Sequence, residues 1–313
     1  MTAKIKAFLG ASERRSAVIR NHSAVVNFCA HKEEKMRDAI TNFEELNLTH
    51  FSPSQLLKPL AVWMFQYVAL TADQRSKIKV GYKARYGTSV HFGIQRVVAE
   101  GWEIEKAVET CQTIYDLRET TKTDDEVFRA YREKIAPCIQ NGVNELQKNP
   151  QEYEIEQSVR LELPELVLPI VGYVDFISDT EVTDLKTKIG NLHKPKKDGT
   201  RTLGNIKLPT EPIERDIQQV AIYQAATNVN PSIIYVSHND CVRFDKTNCE
   251  AFHQSNLDDA VEKMRQRALK RQKLIAYSND PHVLGGILEA DFDHPFYWDD
   301  EDNIELAKEI FKV

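Results

Sequence analysis

The sequence is poor in several features that would each have pointed to a class of protein. It has no apolar stretch of about 18 residues, which excludes a membrane-spanning helix. The first ten residues, Met1 to Gly10, lack a long apolar core and do not read as a secretory signal. Only 5 of the 313 residues are cysteines, an odd number with no Cys-x-x-Cys pair, which fits free thiols in a reducing cytoplasm. There is no Gly-x-x-x-x-Gly-Lys-Ser/Thr loop, so the chain carries no nucleotide-driven motor of that type. Neither an internal repeat nor a low-complexity tract is apparent. Basic residues do not dominate: the net charge is −6, with acid concentrated at Asp299-Asp300-Glu301-Asp302. A global negative charge still leaves room for a local basic groove, because steering follows the local field rather than the sum.

What is present is a pattern of strands and helices. Residues 155–163, 166–177 and 181–188 are rich in apolar and β-branched residues and bounded by turn formers, so they read as strands. Residues 233–237 and 242–244 flank His238-Asn239-Asp240, a hairpin turn. Helices are expected over 11–46, 52–70, 88–100 with Gly101 as the stop, 103–149 with a break near Pro137, 211–227, and from an N-cap at Ser255 to about residue 277. Ser52, Pro53 and Gln55 form a capping-box start. The order predicts an α/β fold with a central mixed β-sheet flanked by helices, and an N-terminal helical region around it. The boundaries are an N-terminal extension over 1–50, a core over 51–280 and an acidic, aromatic tail over 281–313.

Two neighbouring strands carry the chemistry. One carries Gly172-Tyr173-Val174-Asp175, and the next reads Thr183-Asp184-Leu185-Lys186-Thr187. Alternation puts Asp184 and Lys186 on one face and Leu185 on the other. Paired as a hairpin, the strands set Asp175 and Asp184 close enough to share a divalent cation. A hard cation takes oxygen ligands, and a lysine beside it can orient or deprotonate an attacking water. Such a cation would also lower the Lys186 pKa. This is the chemistry of phosphodiester hydrolysis.

Four motifs in order resemble the PD-(D/E)XK nuclease superfamily, specifically its RecB-type branch: Ser52-x-Ser54-x-Leu56, Gly87-Thr88-Ser89-Val90-His91, the Asp175/Asp184-x-Lys186 set and Gln219-x-x-x-Tyr223. The likeness covers about residues 50–245, with Asp184 where a Glu is common. It implies a restriction-endonuclease-like core and catalytic roles for Asp175, Asp184, Lys186, Gln219 and Tyr223. The implied metal ligands are His91, Asp175, Asp184 and the backbone carbonyl of Leu185, holding Mg²⁺ or Mn²⁺; an imidazole ligand favours Mn²⁺. Gln219 and Tyr223 lie one turn apart on a helix face that Arg215 extends. Glu156 resembles an acid often found in the preceding strand, and reads equally well as a solvated residue. The glycine-containing segment after Lys186 carries Lys188, Lys194, Lys196, Lys197 and Arg201 and is expected to be a mobile loop contacting DNA phosphates. The last long helix carries Lys263, Arg265, Arg267, Lys270, Arg271 and Lys273, a charge run that reads first as a solvated face.

Some relatives hold an iron–sulfur cluster on four cysteines. Here Cys29 lies upstream and only Cys241 and Cys249 follow the core, so no cluster is expected. The leading expectation is a stand-alone, metal-dependent DNA exonuclease acting on single- or double-stranded DNA in recombination, repair or phage DNA processing. A single-strand annealing or binding protein is a candidate partner, a homo-oligomeric ring a candidate assembly, and the expected location the cytoplasm of a bacterial or phage-infected cell, at the nucleoid. The alternatives are a structure-specific endonuclease or nickase, and a non-catalytic DNA-binding scaffold of the same fold.

Overall fold

The computed structural model describes residues 34–78, 81–117, 124–294, 297–298 and 301–312. Its centre is a five-stranded sheet: β1 (Glu154–Leu161), β2 (Ile170–Ile177), β3 (Glu181–Thr187), β4 (Asn230–Val236) and β5 (Cys241–Phe244), in spatial order β1-β2-β3-β4-β5. Only β3 and β4 run parallel; the other pairs are antiparallel. The sheet is therefore mixed, as expected, and the fold is of the α/β class.

Helices cover both faces. Before the sheet come α1 (residues 34–45), α2 (Pro53–Leu56), α3 (Leu60–Met64), α4 (Ala72–Ser76), α5 (Tyr82–Glu100), α6 (Ile104–Leu117), α7 (Asp125–Arg132) and α8 (Ile135–Gln147). The crossover between β3 and β4 holds α9 (Glu214–Thr227), and α10 (Gln254–Tyr277), α11 (Pro281–Gly285) and α12 (Glu301–Phe311) follow the sheet. Strand β4 shows why the sheet is a two-sided core. Ile234 and Val236 pack toward α5 and α8 with Val90, Ile94 and Ile139. Ile233 and Tyr235 pack toward α9 with Val220 and Tyr223. A third cluster joins Phe43, Phe51 and Trp63 of the N-terminal region to Trp298, Ile310 and Phe311 near the C-terminus. Among the described residues no helix is long and apolar enough to cross a membrane.

Several local expectations are corrected. The helix expected over 52–70 does start at the Ser52–Gln55 capping box, but Pro59 breaks it, and a π-helical turn, Phe65–Ala69, follows α3. Helix α5 starts six residues before Thr88, and Gly101 ends it in the left-handed conformation, φ +67°. The interruption expected at Pro137 falls before it, at Glu133 and Lys134, because proline is tolerated in a first helical turn. His253, not Ser255, occupies the N-cap of α10, with no side-chain cap. Most of the helix expected over 11–46 and Cys29 lie outside the described residues. The segment after β3 forms an irregular ribbon: His193 donates to the Thr202 carbonyl at 2.9 Å, Lys196 to Thr200 at 2.8 Å, and Gly199 turns with φ +79°.

Candidate active site

Strands β2 and β3 are paired only at Phe176–Thr183 and Ile177–Val182. Continuing that register brings Asp175 opposite Asp184, and from there the strands splay. The Asp175 side chain fills the gap: its Oδ2 accepts a 2.7 Å hydrogen bond from the Leu185 backbone N–H, which would otherwise lose its ladder partner. The other edge of β2 is disturbed at the same point. Glu156, which the β1–β2 register sets opposite Asp175, has φ +52° and drops out of the ladder.

Two glycines let the helices close on this gap. A Cβ on Gly87 would lie 2.8 Å from Thr187 Oγ1, so a larger residue there would force α5 or the Thr187 side chain to shift. One turn later His91 Nδ1 stands 3.5 Å from Asp175 Oδ1, and a further turn on, Gln95 Nε2 reaches the Asp175 carbonyl at 3.4 Å. On the opposite face, a Cβ on Gly172 would meet Tyr223 Cε1 at 2.5 Å. The Tyr223 ring therefore lies over the β2 backbone, and its hydroxyl donates to the Tyr173 carbonyl at 3.1 Å.

A polar chain runs from there to the acid pair. Gln219 Nε2 donates to Tyr223 Oη at 2.6 Å, Lys186 Nζ donates to Gln219 Oε1 at 3.0 Å, and Lys186 Nζ stands 2.7 Å from Asp184 Oδ2. Asp184 is nearly inaccessible, whereas the side chains of Asp175, His91 and Lys186 keep 21, 24 and 22% of their surface, so the site opens to solvent on one side.

Electrostatics set the three charged groups apart. Burial pushes the Asp184 carboxyl up to about 6; Lys186 opposes this and Asp175 reinforces it. Burial would also raise Asp175, but His91, Lys186 and the Leu185 N–H together hold it below its ordinary value. Burial disfavours charge on Lys186, yet Asp184, Asp216 and Asp175 more than offset it and hold its pKa above the ordinary lysine value. The lowered Lys186 pKa expected beside a cation is thus not what the protein's own side chains produce.

Asp216 escaped the sequence reading. It is buried on α9, accepts from the Tyr235 hydroxyl at 2.8 Å and adds a third negative charge around Lys186. Its signal was the spacing to Gln219 and Tyr223, three and seven residues on, which shares their helix face. Gln95 was likewise missed, although it is one turn beyond His91.

The donors suit a hard divalent cation in kind: carboxylates first, then imidazole and backbone carbonyl. Asp184 Oδ2 is buried without a well-directed hydrogen bond, despite the nearby Lys186 ammonium. As the side chains stand, no three His, Cys, Asp or Glu groups among the described residues converge as a ready cage.

The basic residues are scattered. Lys188 is half-buried, its ammonium 5.0 Å from the centre of the Tyr235 ring, and burial lowers its pKa. Arg215 is exposed, 3.6 Å from Asp216. Lys194, Lys196 and Lys197 lie exposed on the ribbon. Arg201 is turned onto α7, 3.2 Å from both Asp124 and Glu126.

No family model matches the chain, and no curated protein matches it in sequence. Among solved structures, a provisionally named exonuclease from Eubacterium rectale is similar at 14% identity and TM-score 0.44, over 73% of this chain and 83% of that one. The protein SSO0001 is similar at 15% identity and TM-score 0.26, over 57% and 73%. Likenesses this distant carry no argument about activity.

Proposed function

We propose that the chain is a metal-dependent deoxyribonuclease of the PD-(D/E)XK type, RecB-like branch, acting as an exonuclease. One observation supports this above the rest: Asp175 and Asp184 oppose each other at the splay of β2 and β3, with Lys186 tethered between Asp184 and Gln219. In this reading Asp175, Asp184, the Leu185 carbonyl and His91 would hold Mg²⁺ or Mn²⁺. Bound there, the ion would polarise the scissile phosphate and lower the pKa of a water molecule.

The chain's own residues do the rest. Three carboxylates favour the charged form of Lys186, which from its place beside the acid pair would orient the attacking water and neutralise phosphate charge. Gln219 fixes the ammonium, and Tyr223 fixes Gln219. The biological setting we favour is recombination, repair or phage DNA processing in the cytoplasm, with a single-strand annealing or binding protein as partner.

The test is incubation with linear and covalently closed circular DNA in Mg²⁺, Mn²⁺ or chelator, beside Asp184→Ala and Lys186→Ala. Metal-dependent loss of linear DNA alone, abolished by either substitution, is expected. Cutting of closed circles would replace the exonuclease with an endonuclease. Absence of cleavage in every metal would overturn the enzymatic reading.

A further inference from the structure

Helix α9 has a second polar face. Asp216, Gln219 and Tyr223 turn to the acid pair, while Glu214 and Gln218 line a groove of 530 Å³ between α9, α10 and the α2–α3 link. Lys58, Arg267, Lys270 and Arg271 line the same groove. Its two carboxylates are already engaged: Glu214 by Lys263 at 2.7 Å, and Glu262 by Arg265 at 2.7 Å. That leaves four cations without a carboxylate within ion-pair distance among the described residues.

Three of these cations are held in place by neutral acceptors. Arg271 is buried, and its Nη2 donates to the carbonyls of Gln55 at 3.2 Å, Leu56 at 3.2 Å and Lys58 at 2.7 Å. Arg267 Nη1 reaches the Leu56 carbonyl at 3.4 Å, and the Lys58 ammonium donates to Gln66 Oε1. Gathering like charges without counter-charge is unfavourable, and it shows: burial and the adjacent Arg267 pull the Arg271 pKa down to about 9, and burial and Arg75 lower that of Lys58. Arg271 Nε and Gln218 Oε1 are buried polar atoms with no hydrogen-bond partner. A cluster of uncompensated cations with an unpaired donor at Arg271 Nε suits an anion.

We propose that this groove binds backbone phosphates of the DNA strand whose scissile bond lies at Asp175 and Asp184, a proposal that rests on the nuclease reading. The two faces of α9 are separated by about the helix diameter, roughly 10 Å. A strand running from one face to the other would span only a few nucleotides. The groove would thus fix the register of the strand before chemistry, through contacts that carry no sequence information.

The experiment is fluorescence anisotropy of a labelled single-stranded oligonucleotide bound to the full chain in chelator, where no cleavage competes, over a range of salt. Wild type is compared with Arg267→Ala, Lys270→Ala, the pair together, Arg267→Lys, and Lys308→Ala as a one-charge control at an exposed position of α12. The double variant should bind about tenfold more weakly, with a salt slope shallower by about 1.4 for two lost single-strand phosphate contacts. Arg267→Lys should recover part of the loss, and Lys308→Ala should match wild type. Unchanged binding in the double variant, an equal loss in Lys308→Ala, or no DNA binding by wild type would each overturn the groove. Cleavage by wild type in Mg²⁺ is scored separately. Loss of binding in the variants without any wild-type cleavage keeps the groove and removes the nuclease; cleavage with unaffected binding does the reverse.

Discussion

Gly172→Ala isolates the packing that holds the polar chain in line. The added methyl would stand 2.5 Å from Tyr223 Cε1, well inside van der Waals contact. The Tyr223 ring is buried against Val174 and Val220, so it cannot yield without disturbing the core. Overpacking of this kind costs about 1–3 kcal/mol. Taking about 2 kcal/mol, and about 2 °C per kcal/mol for a chain of this size, the melting temperature should fall by about 4 °C. A shifted ring also loosens the Tyr223–Tyr173, Gln219–Tyr223 and Lys186–Gln219 bonds, so cleavage should fall further than stability alone explains. The decisive assay is a double-mutant cycle by chemical denaturation, with Tyr223→Ala as the second substitution. Removing the ring removes the clash, so Gly172→Ala should be nearly neutral in that background, giving a coupling of about 1–2 kcal/mol. Equal cost in both backgrounds would refute the reasoning.

Three further outcomes follow from the geometry. Asp184 is raised to about 6 from an ordinary 3.8, so its charge opposes folding above that range; the penalty is absent below about pH 4 and complete above about pH 6. In chelator, Asp184→Asn should therefore be more stable than wild type at neutral pH by about 2 kcal/mol, the difference vanishing near pH 4, as followed by denaturant titration at each pH. Gly87→Ala should push α5 from β3 and slow cleavage by moving His91, and Thr187→Ala, which removes the atom it meets, should restore the rate. Arg243 and Glu181 are paired and largely buried, so Arg243→Met should cost about 3–5 kcal/mol in thermal melts, and Glu181→Gln in the same chain should recover much of it.

The site was legible where the sequence signal was local. Asp184 and Lys186 two apart on an apolar strand, and Gln219 and Tyr223 four apart on a helix, follow from strand and helix periodicity alone. Strand positions were readable within a few residues because turn formers bracket them. Illegible parts depend on contacts across the fold. Nothing near Gly172 announces that an aromatic ring from α9 lies on it, and the spacing that puts Asp216 on the face of Gln219 and Tyr223 does not announce that Tyr235 meets it there. The break at Pro59 was visible, but the helical propensity of its neighbours masked it. The ribbon after β3 reads as a mobile loop by composition, and its ordering comes from Arg201 reaching α7 and Tyr131 reaching the Gly190 carbonyl at 2.9 Å.

Asp175 performs two tasks that an alanine substitution would confound. The splay of β2 from β3 sets two acids face to face, but it also strips the Leu185 N–H of its strand partner. Asp175 Oδ2 replaces that partner, so the side chain that supplies negative charge also completes the sheet. Asp175→Ala leaves a buried N–H unsatisfied, at about 1–3 kcal/mol, in addition to removing the carboxylate proposed to hold the metal. Asn keeps an acceptor for the N–H and removes only the charge. A difference between the two variants therefore measures the structural task, and what they share measures the chemical one. The opposed carboxylates and the ladder defect are one feature of the fold: the sheet ends its pairing where the acids begin, and one of the acids closes the end.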